Sequence, residues 1–316
     1  MIKAPPTPKG FRDIAPPLAK RRREIIGKII DTLEEKEYGF VPIETPTIEF
    51  ADTLKGKYGE SERLIYEFTD RGGRKLVLRY DLTVPLARYV ATYNPPLPFR
   101  RYQIGQVFRG ENPQKGRFRE FTQVDFDTVG SLDLKEDAKI IAAAIKALKV
   151  IGLKDVVMFI NDRRNFQDIP VEVVRVIDKI PKFGKEAAKK ELMNKGFSEK
   201  ECEEYFTKIQ NSPPTKKLQE IFEILETQYG LKQIKKPGEA GNFIFDPTLA
   251  RGLDYYTGSI FELKISQNPT DLSIGAGGRY DNLIGSFSKK GIPAVGFSFG
   301  LDRLIELTLN YVFSNN

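Results

Sequence analysis

The densest concentration of residues able to do chemistry lies between Arg100 and Gly130, RRYQIGQVFRGENPQKGRFREFTQVDFDTVG. Its second half, from Arg119 to Thr128, reads as a strand, in which side chains alternate between two faces. Thr122, Val124, Phe126 and Thr128 share one face; Phe121, Gln123, Asp125 and Asp127 share the other. An aromatic ring, an amide and two carboxylates do not suit a dry core, because buried polar groups need partners. They suit the floor of a site for something polar and cationic. Arg109, Arg117 and Arg119 flank a loop that also carries Lys115 and Gly116. Guanidinium forks match phosphate oxygens, so the cluster points to a polyphosphate across the hairpin, a solvated charged hairpin being the plainer alternative.

Three further blocks carry unusual residue types. FIFDPTLARGLDYYTGSIFEL, from Phe243 to Leu263, sets Arg251, Tyr255 and Tyr256 with two glycines between two alternating apolar runs. On residue types alone this is equally a hairpin with surface aromatics. In SIGAGGRYDNLIG, from Ser273 to Gly285, consecutive glycines let backbone approach a ligand. Gly275, Gly277 and Gly278 are expected to floor the pocket with Tyr280 at its edge, although strands also use glycine for bulges. AVGFSFGLDRLIEL, from Ala294 to Leu307, reads as a strand passing through Gly300 into a helix with Arg303 in its first turn. A helix N-terminus there favours an anion; an exposed helical arginine is the alternative.

The order F-loop-RxREFxQ around Phe108 and Arg117–Gln123 resembles motif two of class II aminoacyl-tRNA synthetases, most closely the histidyl-tRNA synthetase family. Arg251–Gly258 and Gly275–Tyr280 resemble that family's two histidine-specific motifs, and Gly300–Arg303 its motif three. The resemblance runs from Lys9 to about Leu307, with every block in order. It implies an α+β fold, a class II synthetase-like antiparallel sheet flanked by helices with a small helical insertion. It implies adenylation of histidine by ATP with Mg²⁺, then transfer to tRNA(His). Carried over residue by residue, Asp81, Thr83 and Gln123 hold the α-ammonium. Asp127 and Tyr256, with Tyr255 and Tyr280, read the imidazole. Arg109, Glu111, Arg117, Phe121 and Arg303 take ATP, Phe121 and Arg303 sandwiching the adenine. Arg109 and Arg251 act on the charge at the α-phosphate. Many bacterial members carry Glu at the position of Asp81, whereas archaeal and eukaryotic members often carry Asp, a mild departure. No metal ligand is assigned.

The elements that must position these residues are legible in outline. Ile25, Ile26, Ile29, Ile30 and Leu33 recur at helical spacing, predicting a helix over Leu18–Tyr38 that stops at Gly39. A short strand, Phe40–Ile43, follows. This helix, strand and Pro46 resemble motif one, which forms the homodimer interface in the family; a helix packed on its own domain fits the pattern equally. Tyr66–Thr69 and Leu76–Arg79 predict two strands about a turn at Arg71–Arg74. Asp81 and Thr83 then sit where a strand gives way to a helix, a common place for caps. Beyond the hairpin, Leu134–Gly152 reads as a helix and Asp155–Asn161 as a strand. Residues 166–236 are rich in Lys and Glu, with breakers at Pro181, Gly184, Pro213 and Gly230. They predict a helical insertion in a catalytic core made of 1–165 and 237–316. Its basic residues either contact an acceptor stem or are simply solvated.

Composition limits the alternatives. At 316 residues the chain can bury a sizeable core. It has no apolar run long enough to span a membrane, and its start lacks the apolar centre of a signal peptide. With Cys202 alone and no histidine, an internal disulfide and a Cys/His zinc site are both excluded. A cytoplasmic protein is expected. The net charge of +7 permits tRNA as partner and equally serves solubility. Family members continue into a C-terminal anticodon-binding domain, and this chain ends at Asn316. The resemblance therefore leaves two readings, the catalytic core of the synthetase or a paralogue without that domain. One such paralogue is the histidine-binding regulatory subunit of ATP phosphoribosyltransferase. A third reading is a nonenzymatic histidine- or tRNA-sensing domain. Retention of Arg109, Arg117, Phe121, Arg251 and Arg303 favours the enzyme, since binding histidine needs only Gln123, Asp127 and Tyr256.

Overall fold

A computed structural model describes residues 5–114, 116–251, 255–265, 273–288 and 290–314. Lys115 and residues 252–254 of the sequence motifs lie outside them. The first helix, α1 (Pro16–Glu34), begins with proline, whose fixed φ suits the first turn. Its stripe of Ile25, Ile29 and Leu33 is fully buried, each worth about 1.5–3 kcal/mol of transfer free energy. The helix stops four residues before Tyr38 because a separate turn intervenes. The N–H groups of Tyr38 and Gly39 both reach the Glu35 carbonyl, at 2.9 and 2.8 Å, and Phe40 N–H returns to Leu33. Gly39, at φ +65°, closes that turn in the left-handed region glycine tolerates.

The chain continues through β1 (Val41–Pro42), β2 (Ile48–Phe50), α2 (Ala51–Leu54), β3 (Glu67–Thr69) and β4 (Lys75–Leu78) to α3 (Thr83–Tyr93). Strands β2, β4 and β3 form a small antiparallel sheet in that order. The central hairpin follows as two ten-residue strands, β5 (Phe99–Phe108) and β6 (Glu120–Val129). Next come α4 (Leu134–Val150) and β7 (Val156–Asp162), then five helices: α5 (Val171–Ile177), α6 (Ile180–Phe183), α7 (Lys185–Asn194), α8 (Glu199–Gln210) and α9 (Lys216–Tyr229). The chain then re-enters the sheet with β8 (Phe243–Phe245), β9 (Ser259–Ile265), β10 (Gly275–Arg279) and β11 (Ala294–Gly300), and passes into α10 (Leu301–Ser314).

Eight strands make the main sheet, in the order β1-β5-β6-β11-β10-β9-β7-β8. Its interior pairs are antiparallel, and only the outer pairs, β1 with β5 and β7 with β8, are parallel. One face is packed by α1, α4, α9 and α10. Val124 and Phe126 of β6, Phe261 and Leu263 of β9, and Val295, Phe297 and Phe299 of β11 meet the apolar sides of those helices. Because side chains alternate along a strand, the residues between them are forced onto the opposite face. That face carries the polar residues.

Within 166–236, α9 packs Leu218, Ile221, Phe222 and Leu225 against the same core as α4, whereas α5 to α8 stack on one another. Lysines of that stack meet glutamates: Lys179 with Glu191 at 2.7 Å, Lys185 with Glu203 at 3.0 Å and Lys189 with Glu199 at 2.6 Å. Among the described residues no helix is long and apolar enough to cross a membrane.

Candidate active site

Strand register sets the polar face in rows. Gln103, Asp125, Ser298, Ala276 and Glu262 lie side by side across β5, β6, β11, β10 and β9; Arg101, Asp127, Gly296 and Gly278 form the next row. Above these rows opens a cavity of about 590 Å³, walled by α3, the hairpin loop, the segment before β9 and residues 177–181 of the helical stack.

The floor is acidic. Asp127 is held by Arg101, 2.6 Å away and fully buried, and by the Tyr280 hydroxyl, which donates at 2.5 Å. Burial raises the Asp127 carboxyl, and Arg101 and Tyr280 oppose that shift. Gly296 makes room for it, since a Cβ there would lie 1.8 Å from Asp127 Oδ1. Burial, reinforced by Asp127 and Asp81 and opposed by Arg101 and Ser298, raises the neighbouring Asp125 to about 7. Ser298 Oγ donates to Asp125 at 2.5 Å and accepts from Gln123 Nε2 at 2.8 Å. Gln123 Oε1 is buried and has no hydrogen-bond partner among the described residues. Asp81 accepts at Oδ1 from the Tyr58 hydroxyl (2.9 Å) and from the N–H groups of Thr83 (3.1 Å) and Val84 (3.0 Å), so it caps α3 while lining the cavity. Burial raises its carboxyl too.

The other end is cationic. Arg109 lies over the rings of Tyr80 and Phe121, 4.4 and 5.1 Å from their centroids, and donates to the Tyr80 carbonyl. Arg117 stands 3.6 Å from Glu111. Arg303, in the first turn of α10, donates to the Ser273 carbonyl at 2.5 Å. Burial lowers its pKa, and the nearby positive charges of Arg117 and Arg109 lower it further. Arg251 donates to Glu262 at 3.1 Å, Glu262 also holds Lys264 at 3.0 Å, and Arg251 Nε is buried without a hydrogen-bond partner among the described residues. Buried guanidinium groups crowded together are costly unless an anion joins them. The cavity is thus acidic at one end and cationic at the other.

The profile of the histidyl-tRNA synthetase family matches residues 10–304. A histidine–tRNA ligase of Korarchaeum cryptofilum is 40% identical over 321 residues, covering 96% of this chain and 74% of that protein. The chain belongs to the histidyl-tRNA synthetase family. Its fold superposes on the crystal structure of histidyl-tRNA synthetase from Nostoc sp. PCC 7120 with a TM-score of 0.80 at 28% identity, covering 98% of this chain and 76% of that one. A Bacillus halodurans structure described as an ATP phosphoribosyltransferase regulatory subunit/histidyl-tRNA synthetase gives 0.76 at 25% identity, covering 97% and 84%.

The cavity of this family member gathers Asp81, Thr83, Arg109, Glu111, Arg117, Phe121, Gln123, Asp127, Arg251, Tyr255, Tyr256, Tyr280 and Arg303. Tyr255 packs between Tyr256 and Tyr280, at 4.9 and 6.0 Å between centroids. Arg119 goes elsewhere: its Nε donates to the Glu111 carbonyl and Nη1 to the Lys9 carbonyl, tying the N-terminal segment to the hairpin loop. Of the three glycines expected to floor the pocket, Gly275 and Gly277 line the cavity with their backbone, and Gly278 lies opposite Gly296 in the neighbouring row. The Phe297 ring fills the room that a Cβ at Gly275 would need. Sequence reasoning set Asp125 on the floor of the site without a specific contact and gave no role to Arg101, Ser298 or Glu262. Asp125 was visible on the right face of its strand. Ser298 shares a face with Gly296 and Gly300 by alternation, but its neighbour across the sheet depends on a register that no local signal reveals.

Proposed function

We propose that this chain activates histidine with ATP to histidyl-adenylate and transfers the histidyl group to tRNA(His). The observation that carries the reading is the two-ended cavity. A buried, unpartnered carbonyl oxygen on Gln123 and three carboxyl groups occupy one end, and Arg109, Arg117 and Arg303 the other. Gln123 Oε1, Asp81 and Thr83 receive the α-ammonium, because each offers an oxygen acceptor there. Asp127, fixed by Arg101 and Tyr280, meets a ring N–H of the imidazole; Tyr256, Tyr255 and Tyr280 enclose the ring. An apolar ring of similar shape leaves Asp127 unpaired and is rejected.

Arg117 and Arg109, with Glu111 beside them, engage the phosphates of ATP. The adenine enters between Phe121 and Arg303 as Arg109 leaves the Phe121 ring for the phosphates. Mg²⁺ would accompany the ATP phosphates and would supply part of the charge neutralisation there. Among the described residues no group of three or more acidic or cysteine side chains is arranged to hold a metal by itself. The histidine carboxylate attacks the α-phosphorus in line, and pyrophosphate leaves. Arg109 and Arg251 neutralise the charge that grows on the equatorial oxygens, which needs no proton transfer. A hydroxyl of the terminal ribose of tRNA then attacks the acyl carbon, and AMP departs.

We place the protein in the cytoplasm as a homodimer. Exposed Ile48, Phe50 and Phe68 share one face of the small sheet with Leu76 and Leu78, an apolar surface suited to a second copy. The alternative is the regulatory paralogue, which needs only the acidic end. ATP–pyrophosphate exchange measured with each of the twenty amino acids separates them. Exchange dependent on histidine alone supports the enzyme. Tight histidine binding without exchange supports the regulator.

A further inference from the structure

Asp125 and Ser298 contact no group of the substrate in the scheme above, yet they are bonded in series to the one amide that does. We propose that Asp125 and Ser298 are positioning residues that fix the direction of the Gln123 amide, so that its oxygen and not its nitrogen faces the α-ammonium of the substrate. The inference rests on the role proposed for Gln123.

The argument is a count of donors and acceptors. An ionised carboxylate only accepts, so the hydrogen between Asp125 and Ser298 belongs to the serine hydroxyl. Ser298 has then spent its only donor. The group 2.8 Å away on Gln123 must be a donor itself, which makes it the NH₂. The amide oxygen is left to face the cavity, where it is buried and unpartnered. A flipped amide would set two acceptors, Gln123 Oε1 and Ser298 Oγ, against each other. It would also turn N–H donors towards a cation, which costs more inside a protein than in water.

The relay depends on the charge of Asp125. The groups facing it are Arg101 on β5, Arg79 after β4, Asp81 before α3, Asp127 on its own strand, and Tyr255, Tyr256 and Tyr280 around the cavity. Once protonated, Asp125 can donate to Ser298 Oγ; the serine hydrogen is then free to turn to Gln123, and the amide can reverse. With Asp125 titrating at about 7, the preference for a ligand bearing an ammonium weakens as pH falls from 8 to 6.

The test compares histidine with imidazolepropionate, which has the same ring and carboxylate but no ammonium. Dissociation constants are measured by calorimetry on the full chain. Ser298→Ala is expected to weaken histidine about tenfold and the analogue less than about twofold, in line with a lost charge-assisted hydrogen bond. Ser298→Thr, which keeps the hydroxyl, restores the preference. In the unaltered protein the histidine preference, the ratio of the two constants, falls between pH 8 and pH 6 once each constant is corrected for the separately measured ring titration of its free ligand, which differs because the α-ammonium lowers the ring pKa of histidine. That measurement needs no variant to fold. If Ser298→Ala weakens both ligands equally, or the ratio is flat with pH, while Gln123→Leu still penalises histidine selectively, the relay is refuted and the role of Gln123 stands. If Gln123→Leu also fails to discriminate, both are overturned.

Discussion

Replacing Arg251 by alanine separates catalysis from stability in a way the local contacts make quantitative. Its partner Glu262 is held twice, by Arg251 at 3.1 Å and by Lys264 at 3.0 Å. Removing the only partner of a buried charge costs about 3–5 kcal/mol. Here Lys264 stays, and the side chain lines an existing cavity, so the variant loses less than about 2 kcal/mol and a few degrees of Tm. The transition state has no such substitute. Deleting one preorganised donor to developing charge costs about 10²–10³ in rate, or about 2.7–4 kcal/mol. Histidine-dependent pyrophosphate exchange should therefore fall by that factor. Histidine binding by calorimetry should change by less than about fivefold, because the ammonium and ring contacts lie on β6, at Asp81 and Thr83 by the start of α3, and around Tyr256 and Tyr280. Equal losses in exchange and in histidine affinity would refute this division of roles.

Gly296→Ala places a methyl group on the Asp127 carboxylate; histidine affinity should drop at least about tenfold with ATP affinity retained, both read by calorimetry. Asp125→Asn tests the buried carboxyl through stability. Its folded pKa of about 7 lies above the unfolded value of about 3.9, so the native state holds the proton more tightly and stability falls as pH rises through that window. The asparagine variant escapes this loss. It should be the more stable protein in urea at pH 8, with the gap closing towards pH 4, and a pH-independent gap would contradict the assignment. Phe50→Glu sets a charge in the apolar face of the small sheet and is expected to give monomers in sedimentation equilibrium where the unaltered chain gives dimers.

The elements that announced themselves had strong periods. The alternation of β6 separated Gln123 and Asp127 from Val124 and Phe126 before any partner strand was known, because one face had to be apolar. The stripe of α1 was equally clear, while its end was not: Gly39 is a true left-handed stop, but for a turn that follows the helix. Arg101 illustrates what local sequence hides. Next to Arg100 it resembles surface charge, yet pairing of β5 with β6 sets it directly beside Asp127 and buries it fully. Arg119 shows the converse, since residue type suggested a phosphate ligand and loop geometry turned it to backbone carbonyls. The Gln123–Ser298–Asp125 series spans strands whose residues are about 175 positions apart. Nothing short of the sheet register brings them together.

The central claim is that this cavity joins histidine to AMP. Incubating the chain with histidine, Mg²⁺ and ATP labelled at the α-phosphate, without tRNA, and separating the products tests it most directly. The account predicts labelled histidyl-adenylate in an amount approaching one per active site, formed with histidine and not with imidazolepropionate or other amino acids. Saturable histidine binding with the label remaining in ATP would contradict it and assign the cavity to recognition alone.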